Sequence, residues 1–466
     1  MTRWINRQSL NNPRSRGASL PRKILHARPS RAKLAPVKIR KSHQGSGGRA
    51  SRRSFLQKAL GLGLTLTARP AHAATLRTAG VDKRNMIQWQ AHEVAKIPEG
   101  YQVAVADVNG DGRLDILALS SAKSIVEWYE NPTWKPRPIT TATHKNISLA
   151  PLFHPEYPAR GLALASDFAL DDSTHGGSLW WAEPAADWDQ EWRLCPLGKI
   201  PTSHRLRWAN LDGKGRLGLV DAPLLGFGAV APEYQAPAPL TWFEMPEIYR
   251  RGHASTQEAP PLEWSSHRID DSLTVVHGLN VLDWDGDGRD EVLTASFEGA
   301  HLFHSAGYGE KLTWTRTHLA EGDQQSRPKR GASEIGVGKV AGKRFLATIE
   351  PWHGDQVVVY SEAGRGELWT RHVIDPSFHE GHALACADLD GDGNDEIVAG
   401  FRGPGTSLYV YYAADAAGWN WERQLLDAEM AASGVLLADL NGDGRPDVVA
   451  IGASTGNVKW YENHSG

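Results

Sequence analysis

Four nearly identical stretches place oxygen-bearing side chains at alternate positions around glycines: "DVNGDGRLD" at 107–115, "DWDGDGRDE" at 283–291, "DLDGDGNDE" at 388–396 and "DLNGDGRPD" at 439–447. Positions 1, 3, 5 and 9 of these stretches are Asp107, Asn109, Asp111 and Asp115; Asp283, Asp285, Asp287 and Glu291; Asp388, Asp390, Asp392 and Glu396; and Asp439, Asn441, Asp443 and Asp447. Hard oxygens on a glycine-bent turn suit Ca²⁺, which takes ~6–8 of them in a flexible shell. Without a cation the carboxylates would repel one another, so four structural calcium sites are expected. Plain Asp/Gly turns without metal are the alternative. A fifth stretch, "NLDGKGRLG", has Lys214 at position 5 and Gly218 at position 9; no ion is expected there, and the ammonium would neutralise Asp212.

A second set of residues could do chemistry rather than hold shape. Counting six residues back from the start of each acidic turn, or its degenerate equivalent, gives Tyr101, Ile147, His204, His277, Ser333, His382 and Ser433. Three imidazoles at equivalent places would converge if those places surround an axis. Three histidines with a fourth position open are a catalytic zinc arrangement, able to acidify a bound water or polarise a carbonyl. A metal-free polar site and histidines bonded to neighbouring backbone are the alternatives. Nearby turns add Trp352 and His353 in "IEPWHGDQ", Arg402 in "GFRGPG" and Glu334 beside Ser333 in "RGASEIG". Trp352 could stack on a sugar face or pack between elements. Arg402 could grip a carboxylate or keto oxygen. Arg205 could contact substrate or pair with an acid of the body, while His353 and Tyr101 are the candidates for proton transfer.

The elements that must position these groups are short β-runs separated by Gly-rich turns. "GLNVLDWDGDGRDEVLTASFEGAHLFH" with "LTWTRTHL" parses as four strands, and the same order recurs at 382–427. The acidic turns or their equivalents lie near 107, 153, 210, 283, 339, 388 and 439. A period of that length is one four-stranded propeller blade. The last repeat ends after "GNVKWYEN" without a fourth strand, while "MIQWQAHEVA" at 86–95 has the pattern of one. The expected fold is therefore all-β, a seven-bladed β-propeller over 86–464 closed by an N-terminal strand that completes the last blade and covers its edge. In such a blade the acidic turns join strands one and two, on the face opposite the 2–3 turns and the blade-to-blade crossovers.

These repeats resemble FG-GAP/VCBS repeats, the propeller units found also in integrin α-subunits. "IEPWHG", "GFRGPG" and "VKWYENH" are similar to exported bacterial propellers related to the N-terminal domain of fungal aldos-2-ulose dehydratase. That resemblance implies an axial cleft, zinc at its base and elimination of water from a keto-sugar. The expected function is thus a carbohydrate-directed lyase or dehydratase, with a non-catalytic glycan- or protein-binding propeller as the alternative.

Charge points the same way. Residues 1–73 hold 17 Lys or Arg and no acid, whereas the remainder carries 34 basic against 54 acidic residues. An acidic body does not suit nucleic-acid binding, which needs clustered positive charge. The basic head, with Arg52-Arg53, Phe55-Leu56, the apolar run "GLGLTLTA" and an Ala-x-Ala ending at Ala73, resembles a twin-arginine export signal with a long basic leader. A linker over 74–85 and a periplasmic or secreted location follow as expectations. No stretch reaches the ~18 apolar residues of a membrane span. Cys195 and Cys386 fall in separate repeats, so two free thiols are expected.

Overall fold

The chain folds into seven four-stranded antiparallel sheets in a computed structural model that describes residues 86–154, 157, 159–250, 264–364 and 366–465. The export-signal reading of 1–73 and the linker at 74–85 lie outside these residues. Six blades are continuous in sequence; the first, for example, comprises Gly100–Ala106, Asp115–Ser120, Val126–Glu130 and Lys135–Thr140. The seventh takes Ala432–Ala438, Asp447–Gly452 and Asn457–Asn463 from the C-terminal end and Trp89–Lys96 from the N-terminal end. The expected closure is therefore present. The completing strand pairs from Trp89 opposite Asn463 to Lys96 opposite Asn457, with a bulge between Glu93 and Ala95. Ile87 and Ile97 bracket it, each 1 % exposed, and His92 stacks on Trp460 at 4.4 Å. Burying each isoleucine contributes ~1.5–3 kcal/mol, which fastens the ring.

Burial follows position in the blade. Second strands such as "EVLTAS" (291–296) and "DVVAIG" (447–452) are buried along their whole length, because adjoining blades cover both faces, as in any doubly covered sheet. Completing strands alternate; "WQAHEVAK" shows only partial burial.

Five acidic-type turns share one backbone course. The glycines at positions 4 and 6 take positive φ, 79° and 87° at Gly110 and Gly112, 66° and 72° at Gly213 and Gly215. A side chain at these angles is strained, so glycine is required. The position-1 acid accepts backbone N–H groups across the bend: Asp107 takes those of Gly110 (2.7 Å), Asp111 and Gly112 (3.0 Å each). Asn210 does the same for Gly215 at 3.0 Å in the stretch that lacks the other acids. There the structure corrects one expectation. Asp212 pairs with Arg216, one helical turn's length along the chain, at 2.7 Å, while the Lys214 ammonium lies over the Tyr308 ring at 3.7 Å. The guanidinium reaches Asp212 with a bidentate fork that the lysine, drawn to an aromatic face, does not match.

The repeated "WYEN" has a function the sequence did not disclose. Asn131 is buried, and its side chain donates to Leu114 O (3.0 Å) in its own turn and to Leu440 O (2.9 Å) in the turn of the seventh blade. Asn463 repeats this with Pro446 O (3.0 Å) and Leu389 O (2.7 Å). These amides clamp each turn to its neighbour. Neither Cys195 nor Cys386 forms a disulfide among the described residues.

Candidate functional site

First strands enter the blades at the crossover face, and four of them carry a β-bulge at their second residue. Pairing skips Tyr101 between Gly100 and Gln102, His204 between Ser203 and Arg205, His382 between Gly381 and Ala383, and Ser433 between Ala432 and Gly434. A bulge frees one residue from the ladder and re-aims its side chain. Here the re-aimed residues are the repeat-equivalent ones, and they meet on the axis. His204 and His277 ring centroids are 4.6 Å apart, His277 and His382 5.0 Å. The Tyr101 hydroxyl sits between His204 Nε2 (2.8 Å) and His382 Nε2 (3.2 Å).

A fourth imidazole joins them. His353, in the turn between the second and third strands of blade five, holds a left-handed backbone (φ 47°), a conformation that costs a non-glycine residue ~1–3 kcal/mol and is often found where function requires it. Its Nε2 lies 2.9 Å from His277 Nε2. The nitrogens of His277, His353 and His382 all lie within 4.8 Å of one another. The expected trio of His204, His277 and His382 gathers at the axis. His204 stands on its tyrosine side, with Nε2 beside the Tyr101 hydroxyl and 3.0 Å from Arg205 Nη1. His353 joins the group not as a lone base but as part of the cluster.

The donor set fits an N₃ metal site. His277 Nδ1 donates to Ser333 O (2.9 Å) and His382 Nδ1 to Ser433 O (2.7 Å), which leaves their Nε2 lone pairs turned toward the axis. Carbonyl anchors of this kind orient metal-binding imidazoles. Three nitrogens suit zinc or a similar ion and do not suit calcium, which prefers oxygen. Burial, followed by the charges of Arg205, His277 or Arg402, holds His204, His353 and His382 well below the usual imidazole range. Burial also lowers His277, against the pull of Glu334. All four are neutral at pH 7, the form that coordinates or accepts a proton.

The expected contact residues divide. Arg205 and Glu334 are inside the site, paired at 2.6 Å, and Glu334 also reaches His277 Nδ1 at 3.2 Å. Burial would raise Glu334, but Arg205 and His277 outweigh it and hold the carboxylate below its ordinary range. Ser333 contributes its carbonyl; its hydroxyl is buried and turned to Ile349 O at 3.2 Å, so the expected side-chain contact with a ligand is corrected. Trp352 is 8 % exposed and packed against Tyr234 and Phe297. A ring enclosed in that way has no open face for a sugar, and packing is its observed role. Arg402 stands on the rim, 3.8 Å from Glu380.

Two cavities flank the cluster. A central channel of about 420 Å³ is lined by Tyr101, Arg205, Arg207, Glu334 and His382 among others. An outer groove of about 420 Å³ includes Lys329, His353, Asp355 and Glu380. Either volume is of the size that takes a small ligand, ~300–1,000 Å³. The acidic turns, at the far ends of the first strands, touch neither.

Parts of this chain are similar to known proteins. A family model for the aldos-2-ulose dehydratase β-propeller domain matches residues 176–363, and models for FG-GAP-like and FG-GAP repeats match 388–450 and 100–121. The aldos-2-ulose dehydratase of Phanerodontia chrysosporium is 24 % identical over 313 residues, covering 61 % of this chain and 33 % of that protein. The match thus spans about a third of the relative's length. The crystal structure of BBS1N in complex with ARL6DN superposes with a TM-score of 0.47 at 12 % identity, covering 80 % of this chain and 95 % of that one. This chain is a seven-bladed β-propeller in which two segments match FG-GAP repeats and a third resembles the dehydratase propeller, and that third segment contains His204, His277, Ser333, Glu334 and His353.

Proposed function

We propose that this propeller, starting from its likeness to the dehydratase domain, acts on carbohydrate by β-elimination at the axial histidine cluster. The reading rests on one observation: His277, His353 and His382 converge, and His382, in contact with the Tyr101 hydroxyl, lines with it a channel of ligand size. In this reading the three imidazoles hold a zinc-like ion. When bound, such an ion polarises a substrate carbonyl and so acidifies the adjacent C–H.

The chain's own groups supply the proton handling. Neutral His204 and His382 each offer Nε2 to the Tyr101 hydroxyl. Arg205 stands over the tyrosine ring, 5.5 Å from its centroid, with Nη1 3.4 Å from the hydroxyl. Tyr101, its phenolic proton passed to His204 Nε2, is assigned as the group that removes the proton alpha to the carbonyl; the C–H electron pair becomes the C=C bond as the β C–O bond breaks, and the proton held on His204 returns to the departing oxygen, which leaves as water. Glu334 fixes Arg205 and His277 together. Arg402, on the rim, tunes the cluster by charge instead of gripping the reacting group.

Export by the twin-arginine route and calcium in the four acidic turns complete the proposal. Folding and metal loading before transport would suit a site made of residues from different blades. The test is incubation of the metal-loaded protein with keto-sugars and sugar acids, followed by ultraviolet absorbance of an unsaturated product. Absorbance that grows with enzyme and vanishes in His353→Asn supports elimination. Silence over a broad panel, with saturable sugar binding retained, would replace it with the binding-module reading.

A further inference from the structure

The central channel contains a cation that the proposed chemistry does not use. Arg205 and Arg207 alternate on the strand Ser203–Ala209, and alternate residues of a strand face the same side; both line the channel. Arg205 is neutralised by Glu334. Arg207 is not: among the described residues no carboxylate pairs with it, and its guanidinium donates to the carbonyl of its own neighbour, Leu206, at 2.8 Å. The acid that acts on it electrostatically is Glu334, already bonded to Arg205 and His277. Burial and the charge of Arg205 pull Arg207 down to about 10, still charged at pH 7.

Of the other polar side chains that line the channel, Gln102 and Trp208 are occupied, while the buried Ser433 hydroxyl has no partner among the described residues. Gln102 exchanges both of its hydrogen bonds with the Leu149 backbone, at 3.0 Å each, and Trp208 donates to Ala150 O at 3.0 Å. The rest of the wall, including Val103, Leu149, Leu384 and Leu436, is apolar. A guanidinium in such a wall is costly unless an anion meets it. Any cation held by the imidazoles would add to the positive surplus.

From this arrangement we infer that the channel binds a sugar acid, with its carboxylate on Arg207 and the opposite part of the ring beneath Tyr101 and His382. One pleat repeat separates Arg207 from Arg205, about 6.6 Å along the strand, so a monosaccharide reaches from one to the other. The inference rests on the proposed function for the identity of the site, and narrows its substrate from carbohydrate in general to acidic monosaccharides or acidic chain ends.

Isothermal titration of the purified full chain with D-glucuronate, D-glucose and inorganic phosphate at low ionic strength is the test. Glucuronate should bind, glucose should bind at least tenfold more weakly, and Arg207→Met should lose tenfold or more of the glucuronate affinity, since a charge-assisted pair contributes ~1.5–3 kcal/mol. Arg207→Lys should retain part of it, and serves where the methionine variant fails to fold. His353→Asn separates the two claims: it should abolish elimination and metal binding yet keep glucuronate binding, so failure of the chemistry leaves this inference standing. Equal affinity for glucuronate and glucose, no binding of either, phosphate binding as tight as glucuronate, or unchanged affinity in Arg207→Met would overturn it.

Discussion

Replacing Glu396 with glutamine should stabilise the protein without calcium and weaken it with calcium. Glu396 is 3 % exposed at position 9 of the sixth blade's acidic turn. Burial first, and then the charges of Asp390, Asp392 and Asp388, raise its carboxyl from 4.5 to about 9, against a hydrogen bond from Leu389 N at 2.8 Å. A carboxyl whose folded value is raised binds its proton more tightly when folded. Its contribution is therefore neutral below the unfolded value near 4.5, grows more destabilising as pH rises, and levels off above about 9. At pH 7 the penalty is about 3 kcal/mol, from ~1.4 kcal/mol for each pH step above the unfolded value. Glutamine keeps an acceptor for Leu389 and cannot ionise. In a chelator at pH 7, Glu396→Gln should therefore melt roughly 4 °C above the parent for a propeller of this size, and the gap should close toward pH 5. Calcium should reverse the order. An ion at this site stabilises the parent by ~4.1 kcal/mol when present at about a thousand times its dissociation constant, which exceeds the penalty, and the variant lacks the charged ligand. Differential scanning calorimetry across pH 5–9, with chelator and with calcium, reads both effects. A variant less stable than the parent in chelator at pH 7, or calcium raising both equally, would refute the reasoning.

Three further outcomes follow from the same contacts. Tyr101→Phe removes the hydroxyl between His204 and His382 and should cut kcat by ~10²–10⁴ on any sugar found to be eliminated, with bound metal and Tm retained. Equal turnover would move the base elsewhere. Trp352→Ala should destabilise by ~3–5 kcal/mol through a cavity among Tyr234 and Phe297; a variant of normal Tm with raised KM would restore the stacking role. Asn463→Ala strands the Leu389 and Pro446 carbonyls and should cost ~2–3 kcal/mol by urea denaturation, whereas a change under ~0.5 kcal/mol would deny the clamp.

Much of this was legible because a propeller converts sequence period into rotational symmetry. Equivalent positions of a repeat become equivalent positions around the axis, so counting back from each acidic turn located Tyr101, His204, His277 and His382 without coordinates. The bulges that aim three of them were not legible, since nothing in the residue types marks where pairing skips. His353 was found as a base and missed as a cluster member, because it lies in a 2–3 turn with no counterpart in other blades. Lys214 was misassigned because the competing Arg216, four residues beyond Asp212, was not weighed. Arg207 carried a usable signal: two residues beyond Arg205 on a channel-facing strand, it had to face the same way. Trp352 had none, since a tryptophan in a turn reads the same whether it is enclosed or open.

Metal identity at the axis is the most direct test. Crystals of the protein, measured with anomalous scattering on both sides of the zinc edge, should show one strong zinc peak among His277, His353 and His382, with His204 uncoordinated and calcium confined to the acidic turns. Calcium peaks in those turns without any metal at the imidazoles, in protein never exposed to chelator, would contradict the proposed reaction centre.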